Sequence, residues 1–230
     1  MVFALVMAAA LTACSGGDKQ AEAKKLTAAE QLASAKVKAD AATSMHLMLR
    51  SSGIPETANG VLAADGSGTH APAFKGTLDA RIAGFSAKVE VVAIDKLLYL
   101  KLPFTTEFTE ADPTEYNAPN PALLFAKQGG VTSLMTATTD LVEGKATRSG
   151  ADVLKNITGK LPGANIVKLL NFGDGAKTFD VTYGITDPGG ELRSVTLVGP
   201  FFKGATSTPV TSTYILTLDK YGAPVEISKP

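Results

Sequence analysis

The chain has 230 residues, 22 Lys+Arg against 22 Asp+Glu, and 45% hydrophobic residues, which is the make-up of one ordinary globular domain or two small ones. A formal net charge of zero supplies no basic stripe to displace counterions from phosphates, so nucleic acid is not an expected partner. The single cysteine excludes an internal disulfide, a Cys-x-x-Cys redox pair and a cysteine-rich zinc site in a monomer.

Residues 2–11 (VFALVMAAAL) are apolar and run into Leu11-Thr12-Ala13-Cys14, after which Ser15-Gly16-Gly17-Asp18-Lys19-Gln20 is polar. The run is too short for a permanent span, which needs about 20 apolar residues, and fits the h-region of a signal peptide ending in small residues. Leu11-Thr12-Ala13-Cys14 resembles a bacterial lipobox, in which the cysteine thiol accepts a diacylglyceryl group and becomes the mature N-terminus. The resemblance implies a signal peptide at residues 1–13 and a lipidated N-terminus with a flexible tether at 14–25, ahead of a folded domain at 26–230. No Lys or Arg precedes Cys14, so the basic n-region of a secretory signal is missing and the natural start is expected further upstream. The competing reading is a buried N-terminal helix with a free core thiol; the polar run that follows argues against it. Two or three acyl chains, at about 0.8 kcal/mol per buried CH₂, hold a protein on a bilayer where one chain is marginal. The expected location is therefore the extracytoplasmic face of the cell membrane, by lipid anchor.

Thr27-Ala28-Ala29-Glu30 is a capping box, in which hydroxyl and carboxylate each satisfy a free N–H at a helix start. It predicts a helix over residues 28–43, rich in Ala and Lys, with Leu32 and Val37 as its larger apolar positions. The pattern turns to strand at 45–50, 60–64, 74–82, 85–94 and 97–102, with Asp65-Gly66-Ser67-Gly68 and Asp95-Lys96 among the turns. Alternation puts Leu78, Ala80 and Ile82 on one face of their strand, and Phe85, Ala87, Val89 and Val91 on one face of the next. Asn120-Pro121 opens a short helix at 120–127, with Asn as N-cap, and Gly129-Gly130 closes it. Short helices are also predicted at 131–137 and 162–171. Strands are predicted at 141–147, 152–159, 177–186, 191–198, 211–218 and 225–228, with a turn at Asp187-Pro188-Gly189-Gly190. Grouped strands and grouped helices joined by hairpin turns predict an α+β fold: one antiparallel sheet with helices on a single face.

A search for catalytic constellations leaves little. His46 lies inside the first strand and His70 in a Gly/Ser-rich loop, neither with an acidic partner at helix or strand spacing, so no metal site is expected. Nucleophile-elbow, Walker, dinucleotide and Ser-x-x-Lys patterns do not occur; neither an enzyme nor a cofactor is expected. Glu107, Glu110, Asp112 and Glu115 read as a solvated acidic loop, Asn156-Ile157-Thr158 as a chance sequon, and residues 205–213 as a hairpin loop running into a strand. The short helices are strongly apolar for their length, with Leu123, Leu124, Phe125, Leu134, Met135, Ile166, Leu169 and Leu170. Core and pocket linings share one composition, so two readings stay open: helices packed on the sheet, or helices facing a curved sheet across a lipid-sized cavity.

Five stretches carry a family resemblance. Ala42-Thr43-Ser44-Met45-His46-Leu47 resembles the helix-to-strand junction of the mycobacterial and related actinobacterial lipoproteins of the LppX/LprA/LprF/LprG family. Val92 to Tyr99 (VAIDKLLY) is similar to the family's hairpin, and Tyr116 to Leu124 (YNAPNPALL) to the segment that opens its short helices. Ile157-Thr158-Gly159-Lys160-Leu161 resembles its strand entering a helix, and Leu216 to Ile227 (LTLDKYGAPVEI) its C-terminal signature, with Tyr221 where Trp is common. The resemblance implies a half-barrel antiparallel sheet with helices on its concave face, enclosing a cavity for the acyl chains of lipids or glycolipids. It also implies a non-enzymatic role in carrying such lipids towards the outer envelope, with a membrane transporter as a further candidate partner. The candidate lining is Leu78, Ala80, Ile82, Val89 and Val91, opposed by Leu123, Leu124, Leu134, Ile166 and Leu170. A solute-binding or structural lipoprotein with a packed core is the alternative.

Overall fold

A computed structural model describes residues 25–82, 84–116, 118–203 and 208–230. The expected signal peptide, Cys14 and the tether up to residue 24 lie outside the described residues, as do residues 205–207 of the expected hairpin loop.

The capping box forms as written: Thr27 Oγ1 accepts from Glu30 N at 3.2 Å and Glu30 Oε2 accepts from Thr27 N at 2.7 Å, opening α1 (Ala28–Ala41). Leu32, Ala35 and Ala39 are buried and Val37 is exposed, so α1 presents one narrow stripe to the rest of the protein.

The strands are β1 (Ser44–Ser52), β2 (Gly60–Thr69), β3 (Ala73–Ile82), β4 (Phe85–Ile94), β5 (Leu97–Lys101), β6 (Thr109–Ala111), β7 (Thr139–Glu143), β8 (Thr147–Ser149), β9 (Asp152–Pro162), β10 (Thr178–Thr186), β11 (Leu192–Lys203) and β12 (Pro209–Asp219). They make one 12-stranded sheet in the order β6-β5-β4-β3-β2-β1-β12-β11-β10-β9-β7, with β8 also on β9. The pairings are antiparallel. Two meanders, β1–β6 and β9–β12, are thus joined where the last strand returns to pair with the first, and the curved sheet stays unclosed. Between them come three 3-10 helices (Pro113–Tyr116, Pro121–Phe125, Val131–Ser133) and α2 (Leu134–Ala137); α3 (Gly163–Leu170) follows β9.

Register carries one apolar face across the whole sheet. Val91 lies opposite Gly76, Gly76 opposite Gly66, Gly66 opposite Leu47 and Leu47 opposite Leu218. On the other side Leu216 faces Val195, Val195 faces Tyr183 and Tyr183 faces Ile157. This inner face shares one apolar cluster with Leu32 of α1, Leu124 and Phe125 of the second 3-10 helix, Leu134 of α2 and Ile166 of α3.

Several expected boundaries move. Residues 65–68, expected as a turn, are the second half of β2. Their glycines serve clearance rather than turning: a Cβ at Gly66 would sit 2.5 Å from the Phe74 ring and one at Gly68 2.5 Å from the Phe125 ring. The strand expected at 141–147 is broken into β7 and β8, and part of the expected acidic loop is β6, an edge strand on β5. Residues 225–228 form no strand. Pro224 removes a ladder donor there, and the tail places Lys229 Nζ 5.4 Å from the centre of the Tyr99 ring.

Candidate functional site: an apolar cavity beneath a short helix

The second 3-10 helix is held from several sides. Asn120, expected as its cap, accepts from Ala122 N at 3.0 Å and donates to Asp95 O at 3.1 Å, and it is itself buried. At the other end His70 is tied by Nδ1 to Phe125 O at 2.6 Å and by Nε2 to Ala39 O at 2.9 Å, linking this helix to the last turn of α1. The helix touches β2, β3 and β4; on β2 and β3 the inner row holds the small residues Ala64, Gly66, Gly68, Gly76 and Ala80 beside Phe74 and Leu78. On the far side, α3 ends on Asn171 in the left-handed region (φ 64°), whose N–H donates to Val167 O at 2.8 Å and turns the chain so that Phe172 folds back over the sheet.

Between these elements lies a cavity of about 40 Å³. Its floor is Leu47, Leu49, Ala64, Phe74, Leu78 and Leu216 of the sheet, and its other walls are Pro121, Leu124, Leu170 and Tyr214. Val61, Pro119 and Phe172 line both the cavity and an open groove of about 400 Å³, which adds Thr57, Asn59, Asn171 and Phe202. These three residues therefore form a threshold between an apolar interior and a mixed, polar-rimmed mouth.

Tyr214 is the one lining residue with a polar side chain. It is 2% exposed and its hydroxyl has no hydrogen-bond partner. Its ring packs on Phe201 and Phe172, centroids 4.7 and 5.7 Å away. Tyr183, on the same face, differs: its Oη lies 2.8 Å from Thr138 Oγ1. Burial pushes both phenols well above their ordinary pKa, so both stay neutral.

Of the candidate lining, Leu78, Leu124 and Leu170 border the cavity. Val89, Val91, Leu134 and Ile166 lie on the same side but are buried within the packed core. Ala80 is half-buried on the inner face, and Ile82 closes β3 opposite Phe85, its side chain outside the described residues. Leu123 is a correction: it is 44% exposed, because the tight 3-10 turn that aims Leu124 inward sends its neighbour to solvent. Tyr214, Phe172 and Pro119 were missed; the available signal was a lone Tyr in an inward row with Leu216 and Leu218.

His46 is placed by strand pairing rather than by local spacing. His46 does have acidic partners, Asp219 at 2.7 Å on Nδ1 and Asp65 at 3.0 Å on Nε2, both supplied by neighbouring strands. Among the described residues no group of three His, Cys, Asp or Glu is placed to hold a metal ion, and no helix is long and apolar enough to cross a membrane.

A family model described as LppX_LprAFG lipoprotein matches residues 27–227. The chain belongs to the LppX_LprAFG lipoprotein family. Two solved structures of this fold are similar to it. LprF from Mycobacterium bovis superposes with a TM-score of 0.71 at 18% identity, over 88% of this chain and 96% of that one. Lipoprotein LppX from Mycobacterium tuberculosis gives 0.63 at 20% identity, over 87% and 98%. At such identities these likenesses establish the fold. No curated protein sequence matches the chain.

Proposed function

We propose that this lipoprotein binds acylated lipids or glycolipids, seating acyl chains in the cavity beneath the helix Pro121–Phe125, and carries them towards the outer envelope. The observation that carries this reading is the lining: aliphatic, proline and phenylalanine side chains apart from Tyr214, opening through Val61, Pro119 and Phe172 onto a polar-rimmed groove. Each CH₂ moved from water into such a lining contributes about 0.8 kcal/mol, so long chains bind tightly without a polar contact. A headgroup then rests at the mouth, beside Thr57 and Asn171. The cavity holds only about 40 Å³, too little for an acyl chain, so a chain enters by parting the short helix from β2 and β3. Cys14 lipidation would hold the domain at the membrane from which the lipid is taken.

Filling the cavity tests the reading. Ala64→Ile places three more carbons inside a strand position that suits a β-branched residue. The expected result is a folded protein with near-normal melting and reduced co-purifying lipid; a stable variant with undiminished lipid contradicts the assignment. Cys14→Ala is expected to move the protein from the membrane to the soluble fraction, and its retention there would contradict the anchor.

A further inference from the structure

We propose that Tyr214 selects the class of cargo: its hydroxyl donates to the carbonyl oxygen of an acyl ester just inside the threshold, so that O-acylated lipids are taken in preference to their ether counterparts. The inference rests on the lipid-binding reading and goes one step beyond it.

Three observations converge on this residue. The first is chemical: Tyr214 carries the one polar side chain of an otherwise apolar lining. Secondly, its hydroxyl is buried and lacks a partner, as does that of Tyr99, which does not line the cavity, whereas the Tyr183 hydroxyl is satisfied by Thr138 and the Tyr221 hydroxyl donates to Leu192 O. A buried donor left unmade destabilises the fold, and a phenylalanine would fill the same space without that cost. Neutral phenol is a donor suited to an ester carbonyl, and burial keeps it neutral.

Position supplies the third. Tyr214 pairs across the sheet with Ser51 and Leu197, close to the strand ends that carry the mouth, and its ring lies 5.7 Å from the ring of the threshold residue Phe172. Deeper along the floor, Leu47 and Phe74 offer only hydrocarbon. A lipid whose chains lie over Leu47 and whose headgroup reaches the groove has its acyl linkages near Tyr214. That linkage is the part of the molecule that goes into the site carrying carbonyl acceptors, which lose water on burial and need a donor.

The test compares the full chain and Tyr214→Phe, which keeps the ring and its packing, for binding of dipalmitoylglycerol and of the matched dihexadecylglycerol diether. Displacement of a fluorescent fatty acid gives the affinities. Wild type is expected to prefer the ester by roughly fivefold, the worth of one neutral hydrogen bond. Tyr214→Phe is expected to lose that factor on the ester alone, leave the ether unchanged, and melt no lower than wild type. An ester-to-ether ratio that is the same in both proteins overturns the hydrogen bond while the cavity reading stands. Failure of wild type to bind either lipid overturns both.

Discussion

The two meanders share one inner face and use it differently. Over β9–β12 that face is built from large side chains: Ile157, Leu161, Phe179, Tyr183 and Leu197 are at most 1% exposed, and Phe179 meets Phe201 edge-on at 4.8 Å. Over β2 and β3 the corresponding row holds Ala64, Gly66, Gly68, Gly76 and Ala80 beside the larger Phe74 and Leu78, and the Phe74 ring stacks on Phe125 at 5.9 Å. The β9–β11 row is close-packed, and the cavity lies where the small residues of β2 and β3 meet Leu47 and Leu49 of β1 and Tyr214 and Leu216 of β12. The period of two is the same in both, so what separates close packing from open space here is side-chain volume along the inward row.

Substitutions that exchange these characters should separate the halves. Phe179→Ala, in the solid half, is expected to cost about 3–5 kcal/mol in equilibrium denaturation, because its packed neighbours cannot collapse into the space. Leu78→Ala, which already borders a cavity, is expected to fall at the lower end of the leucine range, about 2 kcal/mol; equal costs would erase the distinction. Val91→Trp sharpens the boundary. Val91 is 1% exposed and packed in the core, so overpacking is expected to cost about 1–3 kcal/mol or more, and an unaffected melting curve would extend the cavity to β4.

Asn120→Ala removes the cap of the covering helix and the bond to Asp95 O. It is expected to cost about 1–2 kcal/mol and to raise hydrogen exchange at Ala122 N before the strands are affected. Leu123→Ser, on the outer side of the same helix, is expected within about 0.5 kcal/mol of wild type. Acidification gives a smaller, local effect. The backbone and side-chain hydrogen bonds from Thr27 hold Glu30 below its ordinary pKa, so its contribution to α1 is full above the ordinary carboxylate range and is lost as pH falls through the lowered value. Protection of the first-turn amides of α1, corrected for the intrinsic exchange rate at each pH, should fall on acidification in wild type and be low at neutral pH already in Glu30→Ala.

Much of the architecture was legible because it is written in short-range patterns. The capping box placed α1, Asn120-Pro121 placed the covering helix, and alternation in residues 77–91 identified the apolar side of β3 and β4, except that Phe85, expected on that side, is 80% exposed at the start of its strand. What was misread depends on partners far away in the chain. Gly66 and Gly68 carry the residue type of a turn, and only the rings of Phe74 and Phe125 explain them inside a strand. Asp219 reaches His46 through a pairing of the last strand with the first, which no local spacing encodes. Leu123 and Leu124 are equivalent in composition and opposite in direction, since a 3-10 turn splits them. Tyr214 stands in an inward row that was legible, but its unpaired hydroxyl is a property of the assembled neighbourhood.

The central claim is that the cavity over the small residues of β2 and β3 takes lipid. Native mass spectrometry of the full chain purified from its own host, with extraction and identification of what it carries, tests this most directly. The expected result is a complex carrying acylated lipid that Ala64→Ile carries in smaller amount; protein of bare polypeptide mass, with no lipid in the extract, would contradict the account.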